Sequence, residues 1–200
     1  MLKPCSLTPL VAALLVSGCA ESARTPVEAT RSAGQVALRS GTPGAAADRM
    51  LYQVILAPLG ESQSHGVAQI EIVGGYIAVT VHASGVMPNH NIPQHIHLNP
   101  TCANGGGVLL DLDAHLTVPG EGASVGAAYP MSNQAGVVNY HASRSLTDLL
   151  AAVNTYQSAG LSSVDELIGW LNLEDRNVHQ HVAEGPPFPA VNCGEVERLN

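Results

Sequence analysis

Two histidine doublets stand out among the nine histidines of this 200-residue chain: His95-Ile96-His97 and His179-Gln180-His181. In an extended strand, residues i and i+2 project from the same face about 6 to 7 Å apart, so both imidazoles of a doublet can turn toward one ion. Two such strands brought together present three or four neutral nitrogens, a donor set that suits copper or zinc at neutral pH. The expected ligands are His95, His97, His179 and His181. His115, behind Asp111 and Asp113, and His141 are further candidates, while His65, His82 and His90 are expected at the surface or behind a ligand. A lone histidine is usually a hydrogen-bonded surface residue, and one doublet arises readily by chance. The repetition is what points to a metal.

Such doublets need strands to hold them. Short apolar runs at Leu51 to Leu56, Val67 to Val73 and Tyr76 to His82 read as strands. Gly74-Gly75 between the last two is a two-residue hairpin signal, since glycine accepts positive φ without steric cost. Ile77, Val79 and Val81 alternate with Tyr76, Ala78, Thr80 and His82, the period of a sheet with one buried face, and this puts His82 on the outer face. Further apolar runs lie at Val108 to Leu112, Val137 to Tyr140, Val178 to Val182 and Val191 to Val196, with a Pro186-Pro187 turn between the last two. The same alternation aims Ile96, Val178 and Val182 into the core. It aims Gln180 inward too, and a buried amide needs partners.

Two helices interrupt the late strands. Leu146, Leu149, Leu150 and Val153 follow Ser145 as N-cap, and Val164, Leu167, Ile168 and Leu171 follow Ser163, with Glu166 completing a capping box. Both read as packing elements over the end of a barrel.

The chain opens with Lys3 and an apolar stretch, Leu10 to Val16, too short to span a bilayer, which ends in Val16-Ser17-Gly18-Cys19. This pattern resembles a bacterial lipoprotein signal over residues 1–18, in which Cys19 is the lipidated first residue of the mature chain; the other reading is an ordinary signal with an incidental cysteine, or an uncleaved anchor. Ala20 rather than Asp follows Cys19, and by that resemblance the outer membrane or cell surface is expected over inner-membrane retention. Residues 19–48 mix Ala, Ser, Thr, Gly, Glu and Arg without an apolar period, which reads as a flexible tether with a reach of roughly 30 Å. Residues 49–200 form the folded domain. With Cys19 lipidated and the compartment oxidising, the simplest assignment for Cys102 and Cys193 is a disulfide, worth about 4 to 5 kcal/mol by chain entropy. Two buried thiols, or Cys102 as a metal ligand, are the alternatives.

Composition excludes some functions. Eight basic residues against sixteen acidic ones, with Lys3 the only lysine, leave no basic patch for nucleic acid or for an anionic membrane surface. No Gly-x-Ser-x-Gly elbow offers a serine nucleophile.

The run Val81-His82-Ala83-Ser84-Gly85-Val86-Met87-Pro88, then Gln94-His95-Ile96-His97 and Cys102, resembles the copper-loop region of secreted copper/zinc superoxide dismutases. Asp175-Arg176-Asn177-Val178-His179-Gln180-His181 is similar to the family strand that carries the last copper ligand, and Val191-Asn192-Cys193-Gly194-Glu195-Val196 to the closing strand with the second disulfide cysteine. The resemblance spans residues 51 to 199. It implies a mostly-β Greek-key antiparallel barrel or sandwich, copper on His95, His97 and His181 as the catalytic centre, superoxide as substrate, and the Cys102–Cys193 bridge. The chain departs from the family at Ala190, where an arginine guides the anion, and in the zinc loop, of which only His115 stands roughly in place; copper is therefore expected and zinc is not. The doublets and the ending Gly194-Glu195-Val196 also resemble the chordin-type extracellular domain, a non-catalytic module. A copper-dependent dismutase-like lipoprotein, such a module, and a zinc hydrolase are the three readings. The last lacks a glutamate placed as general base.

Overall fold

The computed structural model describes residues 49–103, 106–121, 129–182 and 189–200. The expected signal and tether, Cys19 and the Pro186-Pro187 turn lie outside the described residues. Eight strands, β1 (Met50–Pro58), β2 (His65–Val73), β3 (Tyr76–Ser84), β4 (Gln94–His97), β5 (Val108–Asp111), β6 (Val137–Ser145), β7 (Asn177–His181) and β8 (Ala190–Arg198), form one antiparallel sheet in the order β5-β4-β7-β8-β1-β2-β3-β6. It curls into a half-barrel. The connections from β3 to β4 and from β5 to β6 cross from one side of the sheet to the other, so the connectivity is that of a Greek key and not of an up-and-down meander.

Local chemistry explains the hairpins and the face of each strand. Gly74 and Gly75 adopt φ of +57° and +82°, the left-handed pair that a two-residue turn requires, and Val73 pairs with Tyr76 across it. Ile77, Val79, Val81 and Ala83 are buried while His82 is exposed, as the alternation predicts. Together with Val54, Leu56, Ile70, Ile96, Leu110 and Val178 they build one core on the concave side of the sheet. Each such fully buried aliphatic side chain contributes roughly 1.5 to 3 kcal/mol relative to exposure.

The barrel stays open between its edge strands β5 and β6. The gap is bridged by side chains, the Tyr140 hydroxyl donating to the carbonyl of Asp113 and Arg144 to that of Leu116 at 3.1 Å. Two helices, α1 (Leu146–Gln157) and α2 (Val164–Leu171), place Leu146, Leu149, Val153, Leu167 and Leu171 in the same core. Ser145 accepts from the Asp148 N–H at 3.0 Å and Ser163 from the Glu166 N–H at 3.2 Å, so both are N-caps as expected. The return half of the capping box differs. The Glu166 carboxylate takes the N–H and the hydroxyl of Ser162 at 2.6 and 2.8 Å, because that residue offers two donors to one oxygen.

Candidate metal centre

The site is built on β4 and its neighbours. His95 lies opposite Asp111 on β5 and opposite His179 on β7, and His179 lies opposite Cys193 on β8. Directly opposed residues share a face of the sheet, so Asp111, His95, His179 and Cys193 form a row across four strands. On the other face Leu110, Ile96 and Val178 form the matching row and point into the core. The register shifts between Ile96 and His97 on β4 and between Gln180 and His181 on β7. Such bulges re-aim side chains, and here they fall beside the second histidine of each doublet.

One nitrogen each from His95, His97 and His181 lie within 4.8 Å of one another. The ring centroids are separated by 5.1 Å for His95 and His181, 5.6 Å for His95 and His97, and 6.0 Å for His97 and His181. These side chains are buried or half-buried. The His95 Nε2 stands 3.2 Å from Asp111 Oδ1, to which the Tyr129 hydroxyl also donates at 2.9 Å. A proton on Nε2 donated to this carboxylate leaves the lone pair on Nδ1, and Nδ1 of His95 is buried without a hydrogen-bond partner. Burial and the Asp111 charge push Tyr129 well above the usual tyrosine range, so it remains a donor. The His97 Nδ1 is 3.3 Å from the Gly106 carbonyl, and a proton donated there leaves Nε2 as the ligating nitrogen.

These features fit a bound ion. A buried nitrogen left without a partner is costly, and a metal is one group that satisfies it. Nitrogens about 2.0 to 2.1 Å from one ion lie roughly 3.4 Å apart, inside the 4.8 Å within which these three gather.

His179 stands differently. Its ring is 4.5 Å from that of His97, but its nitrogen groups with Cys102 and Cys193 and not with the other three histidines. Burial first, and then the neighbouring His97, His181 and His95, lower its pKa to about 4, so it is neutral at neutral pH. Cys102 and Cys193 form the expected disulfide, which ties the segment after β4 to the closing strand. That segment is held further by Arg176, which donates to the Leu98 carbonyl at 2.9 Å, and by Asn177, which donates to those of Asn99 and Thr101 at 2.6 and 3.1 Å.

The other histidines lie elsewhere. His115 is exposed in the turn after Asp113 and lines a cleft with Tyr76, Glu121 and Arg144. His141 is exposed and bonds Thr80; His65 and His82 are also exposed and His90 is half-buried, with hydrogen bonds to Ser84, Asn139 and the Pro88 carbonyl. Arg144 forms a paired contact with Glu121 at 2.5 and 2.7 Å, and Arg176 bonds the carbonyls of Leu98 and Leu171. Ala190 pairs with His181. The inward Gln180 is fully buried and finds the partners it needs: its amide donates to Gln94 Oε1 at 3.0 Å and its Oε1 accepts from Asn192 at 2.6 Å, in a ladder that Ser64 extends.

Sequence reasoning reached the histidines but assigned no role to Asp111 or Tyr129. Asp111 stood in view only as a neighbour of His115, and its register opposite His95 is a property of strand pairing. Tyr129 lies on the connection before β6, with no periodicity to mark its direction. No protein-family model and no curated protein matches the chain.

Proposed function

We propose that this chain is an exported copper protein with a superoxide dismutase-like domain, carried on the outer membrane or cell surface by a lipid on Cys19. The observation that carries the reading is the convergence of His95, His97 and His181 within 4.8 Å, with the Nδ1 of His95 buried and unpartnered beside an Asp111-oriented Nε2. The order of strands, the two doublets and the disulfide from the segment after β4 to the closing strand agree with the family likeness. Copper held there supplies one-electron acceptor and donor chemistry for superoxide. The chain's own residues orient the ligands: Asp111 and Tyr129 fix the tautomer of His95, and the Gly106 carbonyl turns His97. His115, which stands roughly where the family's zinc loop would supply a ligand, lies in the separate cleft with Glu121 and Arg144 and does not join the three histidines.

A second reading, the non-catalytic chordin-type module, is favoured by one observation. Steering of a small anion depends on local positive field, and here Ala190 faces His181, Arg144 is neutralised by Glu121, and the chain carries a formal charge of −8. Loading the full chain with copper and following superoxide decay separates the two. Tight copper with decay above that of free buffer supports the dismutase. Tight copper without decay reduces the role to binding, and no copper leaves the module.

A further inference from the structure

A buried imidazole beside a disulfide has no obvious purpose in packing. His179 is 4% exposed, its Nε2 has no hydrogen-bond partner, and it brings a ring nitrogen to within 4.8 Å of the sulfurs of both Cys102 and Cys193. It is fixed there by the β7–β8 ladder, in which it is the direct partner of Cys193. Cys193 is itself 2% exposed, whereas Cys102 is half-buried on the segment between β4 and β5. The arrangement goes beyond the three-histidine centre and does not depend on it.

We propose that reduction of the Cys102–Cys193 bridge creates a second metal site, in which the two thiolates and the imidazole of His179 bind a thiophilic cation of the zinc type. While the bridge is closed the sulfurs are bonded to each other at 2.00 Å and are poor ligands. A dithiol reductant breaks that bond, forms its own cyclic disulfide and transfers its two protons to the two protein sulfurs. The separated sulfurs then lie at a non-bonded distance, and ligands about 2.3 Å from one ion through sulfur and 2.0 to 2.1 Å through nitrogen require separations of that order. Binding a divalent cation releases both thiol protons to solvent, while the neutral imidazole contributes a lone pair. The fourth position is open to water. The disulfide thus acts as a switch that exchanges a structural bond for a soft two-sulfur, one-nitrogen site next to the harder three-imidazole one.

The test uses Co2+ as a spectroscopic substitute for Zn2+ on the full chain carrying Cys5→Ser and Cys19→Ser, so that the bridge supplies the only sulfurs from cysteine. A phosphine reductant, which takes its oxygen from water as the two thiols form, avoids a competing thiol. The reduced protein is expected to develop a thiolate-to-cobalt charge-transfer band that saturates at one equivalent and is missing from the oxidised protein, whose histidines give no such band. His179→Gln is expected to weaken this site about tenfold or more, and Cys102→Ser, which keeps one thiolate, to do so as well. The proposal is overturned if the reduced protein still unfolds cooperatively and gives no charge-transfer band, if the band persists with unchanged affinity in His179→Gln, or if reduction abolishes cooperative unfolding. Copper binding by the oxidised chain reads the three-histidine centre separately, so failure of one does not imply failure of the other.

Discussion

His95 and Asp111 face one another across the β4–β5 ladder with Nε2 3.2 Å from Oδ1. That single contact decides which nitrogen of His95 is free to ligate, and the Tyr129 hydroxyl donates to the same carboxylate oxygen at 2.9 Å. Asp111→Asn can no longer act as a pure acceptor and Asp111→Ala leaves the ring unoriented. Both should weaken metal binding about 10- to 100-fold, read by competition against a chromophoric chelator, with thermal stability of the metal-free protein little changed. Equal affinity in both variants removes the carboxylate from the site.

Glu121 and Arg144 pair beside the open side of the barrel. Burial alone raises the Glu121 pKa, but the Arg144 hydrogen bond, the Val118 N–H and the charges of Arg144 and His115 outweigh it and hold the pKa below the ordinary carboxylate value. A depressed carboxylate contributes stability that is complete above its unfolded pKa of about 4.3 and is lost as pH falls through the lower folded value. Denaturant melts should therefore lose stability as pH drops below about 5, and Glu121→Gln should flatten this acid limb while lowering stability at pH 7 by about 1 to 2 kcal/mol. An unchanged acid limb in the variant contradicts the assignment.

The buried amide ladder of Gln94, Gln180 and Asn192 crosses three strands beneath the doublets. Truncation at its centre strands two buried amides. Gln180→Ala is expected to cost about 2 to 4 kcal/mol by chemical denaturation, and Gln180→Glu more, since it buries a charge. A loss below about 1 kcal/mol means the ladder is open to water.

Gly194 sits where β8 runs alongside its sheet neighbour β1, and a Cβ there would lie 2.3 Å from the Ile55 carbonyl oxygen and 2.6 Å from a Val54 methyl. The obstacle is backbone and cannot swing aside. Gly194→Ala should destabilise the domain by more than about 3 kcal/mol or prevent soluble expression. Gly169 on the exposed side of α2, where a Cβ meets nothing within 4 Å, provides the matched control, and Gly169→Ala is expected to be neutral or stabilising.

Local rules read the parts governed by local chemistry. The strand faces around Ile77 and Val79, the Gly74-Gly75 turn and the Ser145 and Ser163 caps follow from side-chain period and backbone sterics, and the histidine doublets are legible because a strand repeats every two residues. The path after β5 is different. Beyond the apolar run, Leu116 takes φ of +51° in a tight turn where its N–H bonds the Asp113 carbonyl, and the chain folds back so that Asp111 N–H meets the Thr117 carbonyl. His115 is carried to the surface by that turn. Its direction is set by the side chains that close the barrel, Tyr140 and Arg144, which come from a strand more than twenty residues away. The division of labour between His179 and the other three histidines is equally non-local, because it depends on β8 bringing Cys193 alongside β7.

The most direct test of the metal centre is a Cu2+ titration of the oxidised full chain followed by electron paramagnetic resonance. One equivalent should bind with nitrogen superhyperfine structure from three imidazoles, and His97→Ala and His181→Ala should each abolish this signal. A signal that persists unchanged in both variants places the copper elsewhere and contradicts the centre described above.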